Sequence, residues 1–183
     1  MYLLSTRIVL GLCYLFLVIE AYTQIDSSGV YLTATDFSNK NLSYAKHCDY
    51  EKNNLYFNHF ANAPNLTVYQ GTEKIKIRKT EVYGARLCSG ITYRFLNNVA
   101  YEVLNPEQNL LMYKLERTSA PKYPIPVKYF FSKGPRGALI PLTKRNIKHA
   151  FPDNRRLQID LKKEVENGKS LLEYMIPMAG SLR

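Results

Sequence analysis

The chain has 183 residues, 46% of them hydrophobic and 22% charged, with 15 tyrosines, no tryptophan and a net charge of +10. That length holds one substantial core, and the composition is globular rather than that of a disordered chain. The charge is uneven: residues 133 to 169 hold ten basic and four acidic side chains, and "TEKIKIRK" (residues 72–79) holds a second surplus. Outside the cytoplasm such charge attracts anionic envelope lipid or acidic polysaccharide, or it serves as a solvated face. Nothing in it specifies a nucleic acid.

The first element in chain order is a leader. Arg7 precedes the uncharged apolar run "IVLGLCYLFLVI" (residues 8–19), and "EAYT" follows. This is the layout of a secretory signal peptide, expected over residues 1–23 and removed on export. The run is short for a membrane span, which takes roughly 20 residues. Lipidation of Cys13 is the other alternative, and Leu12 stands where a small residue belongs. The mature protein is then periplasmic or secreted.

Export fixes the reading of the cysteines. With Cys13 gone, Cys48 and Cys88 remain, and two cysteines in an oxidising compartment are most simply a disulfide. The competing reading is a nucleophilic Cys88, which needs a base such as His47, His59 or His149. No two of these histidines have metal-ligand spacing.

Beyond the leader, "GVYLTATDF" (residues 29–37) is a strand entering a short turn, with Thr33 three residues before Asp36 as a cap. "NLYFNHF" alternates. "LTVYQGTEKIKIRK" is a hairpin turning at Gln70-Gly71. Its second arm sets Ile75 and Ile77 on one face and Lys74, Lys76 and Arg78 on the other, which makes these three cations the candidate anion-binding residues. Residues 83–88, 91–96, "VAYEVL", "NLLMYKLER" and "VKYFFS" continue the strands, with turns at Ser89-Gly90 and Asn97-Asn98 and the proline-rich "SAPKYPIP" near the end. About six or seven antiparallel strands over residues 55–132 form a meander that must close or be covered.

The tail changes period. Thr143 caps a helix carrying Ile147, Ala150 and Phe151. Asp153 or Asn154 caps a second with Leu157, Leu161 and Val165 on one side, and "SLLE" is a capping box for a third. The expected fold is therefore α+β: an antiparallel β-domain over residues 24–140, closed like a barrel or folded as a sandwich, with a helical tail over 141–183 packed on it.

Gly-rich phosphate loops, HExxH, paired CxxC and the nucleophile elbow are all missing from the sequence. "FSKGPRGAL", with Lys133 and Arg136, is read as a proline-containing turn rather than an anion cradle. "NLS" at Asn41 and "NLT" at Asn65 match the glycosylation sequon, which matters in a eukaryotic secretory pathway only. No cofactor or metal ligand set is expected. The expected function is that of an exported, monomeric, non-enzymatic binding module. A small-molecule carrier using a barrel interior is the first alternative and an extracytoplasmic enzyme the second.

"GVYLTATDF", "EVYGARLCSGITYRFLNN", "YEVLN", "KYFFSK" and "PLTKRNIKHAFPDN" (residues 141–154) together resemble a group of uncharacterised exported proteins of Bacteroidetes bacteria. The likeness spans nearly the whole mature chain. It implies a periplasmic or secreted location and carries no activity or catalytic residue.

Overall fold

The computed structural model describes residues 27–48, 55–57, 62–116, 127–166 and 170–182, without the side chains of residues 164–166. The leader, His59, "SAPKYPIP" and the side chain of Val165 lie outside the described residues.

Strands dominate. They are β1 (Ser27–Tyr31), β2 (Ser43–His47), β3 (Leu55–Tyr56), β4 (Asn65–Gln70), β5 (Glu73–Arg78) and β6 (Gly84–Arg86). After them come β7 (Thr92–Leu96), β8 (Val99–Val103), β9 (Leu110–Leu115), β10 (Lys128–Lys133) and β11 (Ile140–Pro141). Helix α1 (Ala34–Ser38) follows β1, and α2 (Lys144–Ala150), α3 (Arg155–Glu166) and α4 (Leu171–Met178) follow β11. The class is α+β.

The strands divide into two sheets. Eight form a large sheet in the order β11-β10-β9-β8-β7-β6-β1-β2, and β3-β4-β5 form a small one. Every pairing is antiparallel.

The expected closed barrel is corrected here, because the large sheet runs from β11 to β2 without closing among the described residues. Its apolar face is buried by separate layers, so closure is not needed. Its edges are blunted instead: β11 is two residues long and contains Pro141, and β2 ends in exposed Lys46 and His47.

Register shows which residues share a face. Val30, Ala85, Tyr93, Glu102 and Lys114 lie opposite one another across β1, β6, β7, β8 and β9. On this face the small sheet packs Leu55, Phe57, Leu66 and Val68 against Val30, Ala85, Tyr93, Phe95 and Ala100. Farther along, the helices pack Ile147, Phe151, Leu157, Leu161 and Met175 against Leu110, Met112 and Phe131. Between these two layers, Lys114 Nζ lies 3.7 Å from Glu102 and 2.6 Å from Glu116.

The opposite face carries the row Tyr31, Gly84, Arg94 and Tyr101, with Phe37 of α1 and Leu139 packed on it. Gly84 is required here, since a Cβ would come within 2.1 Å of the Tyr93 carbonyl oxygen.

Local signals produce the caps and turns. Thr33 and Asp36 form the reciprocal capping box of α1. Thr143 caps α2 through Asn146 N–H. Asn154 rather than Asp153 caps α3, its Oδ1 accepting from Leu157 N–H at 3.0 Å. Asn97 and Asn98, at φ 49° and 66°, make the two-residue β7–β8 turn. The β4–β5 turn sits one residue later than expected: Gln70 still pairs with Glu73, and Gly71 takes φ 62°. The capping box expected from "SLLE" does not form, because Ser170 makes no side-chain cap bond.

Candidate functional site

Cys48 and Cys88 are disulfide-bonded, with Cα atoms 5.4 Å apart. The thiol-nucleophile reading of Cys88 therefore falls away. Forty positions separate the two cysteines, and that interval contains all of the small sheet. The bond closes a loop that holds the small sheet together with β6 of the large sheet.

The candidate anion-binding residues lie on the small sheet. Ile75 and Ile77 are half-buried against the core below, while Lys74, Lys76 and Arg78 are exposed on the outer side. Cross-strand pairing sets Lys74 beside Tyr69, Lys76 beside Thr67, and Arg78 beside Asn65, with Tyr56 on the far side of Thr67 in the same row as Lys76. Tyr56 is 66% exposed and Tyr69 42%. Lys74 Nζ sits 5.9 Å from the centre of the Tyr69 ring. Among the described residues, the one carboxylate in ion-pair range of the three cations is Glu81, 3.9 Å from Arg78. Alternate cations on one strand are about 7 Å apart, from a rise of roughly 3.3 Å per residue. That is inside the Debye length of about 8 Å at physiological salt, so their fields overlap.

A fourth cation, Lys79, follows directly but points inward. It is 1% exposed, its Nζ donates to the Asn98 carbonyl at 3.3 Å, and it sits 5.6 Å from the ring centres of both Phe57 and Phe95. Desolvation holds its pKa below the usual lysine value.

The cations of "FSKGPRGAL" serve as ties. Lys133 Nζ donates to the Ala150 carbonyl at the end of α2 and lies 4.4 Å from the Phe151 ring centre. Arg136 donates to Thr35 Oγ1 of α1 at 2.7 Å. A cavity of about 180 Å³ beside this loop is lined by Asn109, Leu110, Lys133, Gly134, Phe151 and Leu182.

One cluster has no counterpart in the sequence reading. Arg94, 8% exposed, donates from Nη1 to Tyr113 Oη at 3.1 Å and to Ser132 Oγ at 3.5 Å. Its guanidinium lies 5.4 Å from the Tyr83 ring centre and 5.7 Å from that of Tyr113. The Tyr83 hydroxyl is buried beside Tyr113, yet the geometry falls short of a hydrogen bond. Burial pushes its pKa far above the usual tyrosine value. In "GITYRFL", alternation puts Arg94 opposite Tyr93 and Phe95, which reads as a solvent face. Only knowledge of what covers that face would have shown otherwise.

Among the described residues, no three His, Cys, Asp or Glu side chains are grouped to hold a metal, and no helix is long and apolar enough to cross a membrane. Comparison with known protein families, curated proteins and solved structures gives no match for this chain.

Proposed function

We propose that this is an exported, non-enzymatic binding protein whose small sheet presents a cationic, tyrosine-bearing face to an acidic polysaccharide. The observation that carries this reading is the outer row of Lys74, Lys76 and Arg78 beside exposed Tyr56 and Tyr69. Ammonium and guanidinium groups meet carboxylates or sulfates. Flat phenol faces at the same level stack on sugar rings. The groups on this face are cations, phenols and amides, which suit binding rather than bond cleavage.

Export is supported by the leader read from the sequence and by the disulfide, which persists in oxidising compartments. The resemblance to exported Bacteroidetes proteins points the same way. Polysaccharide is favoured over anionic lipid because the patch is a strand surface without the apolar stripe that seats an amphipathic helix in a bilayer. A barrel-interior carrier has no closed barrel to use among the described residues.

The test is titration with polygalacturonate and dextran sulfate, with neutral dextran and phosphatidylglycerol vesicles alongside. Binding to the acidic polymers is expected to fade as salt rises. The triple change of Lys74, Lys76 and Arg78 to Gln is expected to weaken it about tenfold or more, equivalent to roughly 1.4 kcal/mol. Tyr69→Ala should weaken polymer binding at constant salt dependence. Equal binding by the triple variant would overturn the assignment to this face. Preference for vesicles over polymer would transfer it to lipid.

A further inference from the structure

Arg94 is a permanent charge, since a guanidinium does not lose its proton in a protein. Burying such a charge is costly unless something pairs with it. Here its partners are all neutral: the Tyr113 and Ser132 hydroxyls and the Tyr83 and Tyr113 ring faces. No carboxylate of the described residues lies within ion-pair distance of it.

Both of its hydrogen bonds leave from Nη1. A guanidinium has five N–H donors, so those on Nε and Nη2 are left for another acceptor. The Tyr83 hydroxyl, whose ring lies under the same guanidinium, is a buried donor without a hydrogen-bond partner. A second arginine, Arg86, stands on the same face, diagonal to Arg94: Gly84 pairs with Arg94, and Arg86 pairs with Thr92. Arg86 is engaged with Tyr31. Arg94 thus offers donors and a positive charge that no carboxylate of the described residues pairs with.

We propose that this face of the large sheet binds a small inorganic anion of halide size, held by Arg94 and the Tyr83 hydroxyl. Only 8% of Arg94 is exposed, so little of the guanidinium can be reached from solvent, which favours a single small ion over a sugar acid or a lipid headgroup. Chloride is the halide an exported protein meets in quantity. The ion supplies the missing counter-charge and ties β7 to the segment preceding β6. This site is separate from the outer face of the small sheet and does not depend on it.

The experiment is thermal unfolding of the mature protein in sodium chloride exchanged against sodium gluconate at fixed ionic strength. The wild-type midpoint should rise by a constant increment for each tenfold of chloride above its dissociation constant. Arg94→Met should abolish that slope, and Tyr83→Phe should shift its onset to higher chloride. Crystals soaked in sodium bromide should show an anomalous peak within hydrogen-bonding distance of the Arg94 guanidinium. If Arg94→Met fails to fold, Tyr83→Phe and the bromide peak decide the matter. A chloride slope retained in folded Arg94→Met, or an onset in Tyr83→Phe unchanged from wild type, would overturn the proposal. So would a bromide peak without any chloride dependence of the midpoint, which marks an adventitious ion only.

Discussion

Two layers cover the same face of the large sheet, and they are held by different means. The small sheet sits over β1, β6, β7 and β8 through Leu55, Phe57, Leu66 and Val68, and a disulfide closes the loop that holds it. The helical tail sits over β9 and β10 through Leu157, Leu161 and Met175, all 0% exposed, with no disulfide among the described residues. The small sheet has an exposed polar outer surface and only three strands, so it buries little on its own. The tail inserts large aliphatic side chains from several helices into one cluster. A layer with a thin core is stapled; a layer with a thick one is held by burial.

The largest effect should come from the tail. Leu161→Asp removes a fully buried leucine and leaves a carboxylate among Phe131, Met112 and Leu157. Losing the leucine alone is worth about 2–5 kcal/mol, and an unpaired buried charge adds to that. A destabilisation of about 5 kcal/mol or more is expected, read from the denaturant midpoint. An unchanged midpoint would mean that burial does not hold the tail.

Next comes the staple. Cys48→Ser with Cys88→Ser reopens a loop of 40 residues, worth about 4 kcal/mol in the chain-entropy model. The loss should be local as well as global. Amide exchange should accelerate in residues 65–78 of the small sheet before it does in α3. Uniform acceleration in both layers would remove the distinction between them.

Much of this architecture was legible in the sequence, and the reason is locality. Strict alternation in Lys74 to Arg78 placed Ile75 and Ile77 inward and the cations outward because strand period is two. The i, i+4 spacing of Leu157 and Leu161 gave the buried face of α3. Thr33, Thr143 and the Asn97-Asn98 turn act on backbone groups within four residues. Pairing between distant strands was not legible. Nothing in a strand says that β5 belongs to one sheet and β6 to another, so a closed barrel and a sandwich were both open expectations, and two sheets without a closed barrel are found among the described residues. The Arg94 cluster was hidden for the same reason. Its partners Tyr113 and Ser132 lie 19 and 38 positions away and meet it only through the register of four strands.

The smallest effect expected is a protonic one, and it compares the two faces of the large sheet. Tyr31 and Tyr83 belong to the Arg94 face and Tyr93 to the covered face. All three have pKa values raised above the ordinary 10.0, chiefly by desolvation. As pH climbs through that value the unfolded chain releases these protons first. The stability they contribute is therefore full below the ordinary value and declines above it. Lys79 acts in the opposite sense. Its folded pKa lies below 10.5, so the folded state holds fewer protons in that window and stability rises with pH until 10.5 is passed. Three tyrosines oppose one lysine, and the net expectation is a decline from about pH 10 upward. Stability measured across that range should fall less steeply in Tyr83→Phe than in wild type. Tyrosinate absorbance should show a class of phenols that ionises only on unfolding. If all the phenols titrate together near the ordinary value, neither face is sealed from water, and the buried charge of Arg94 would then be solvated rather than paired.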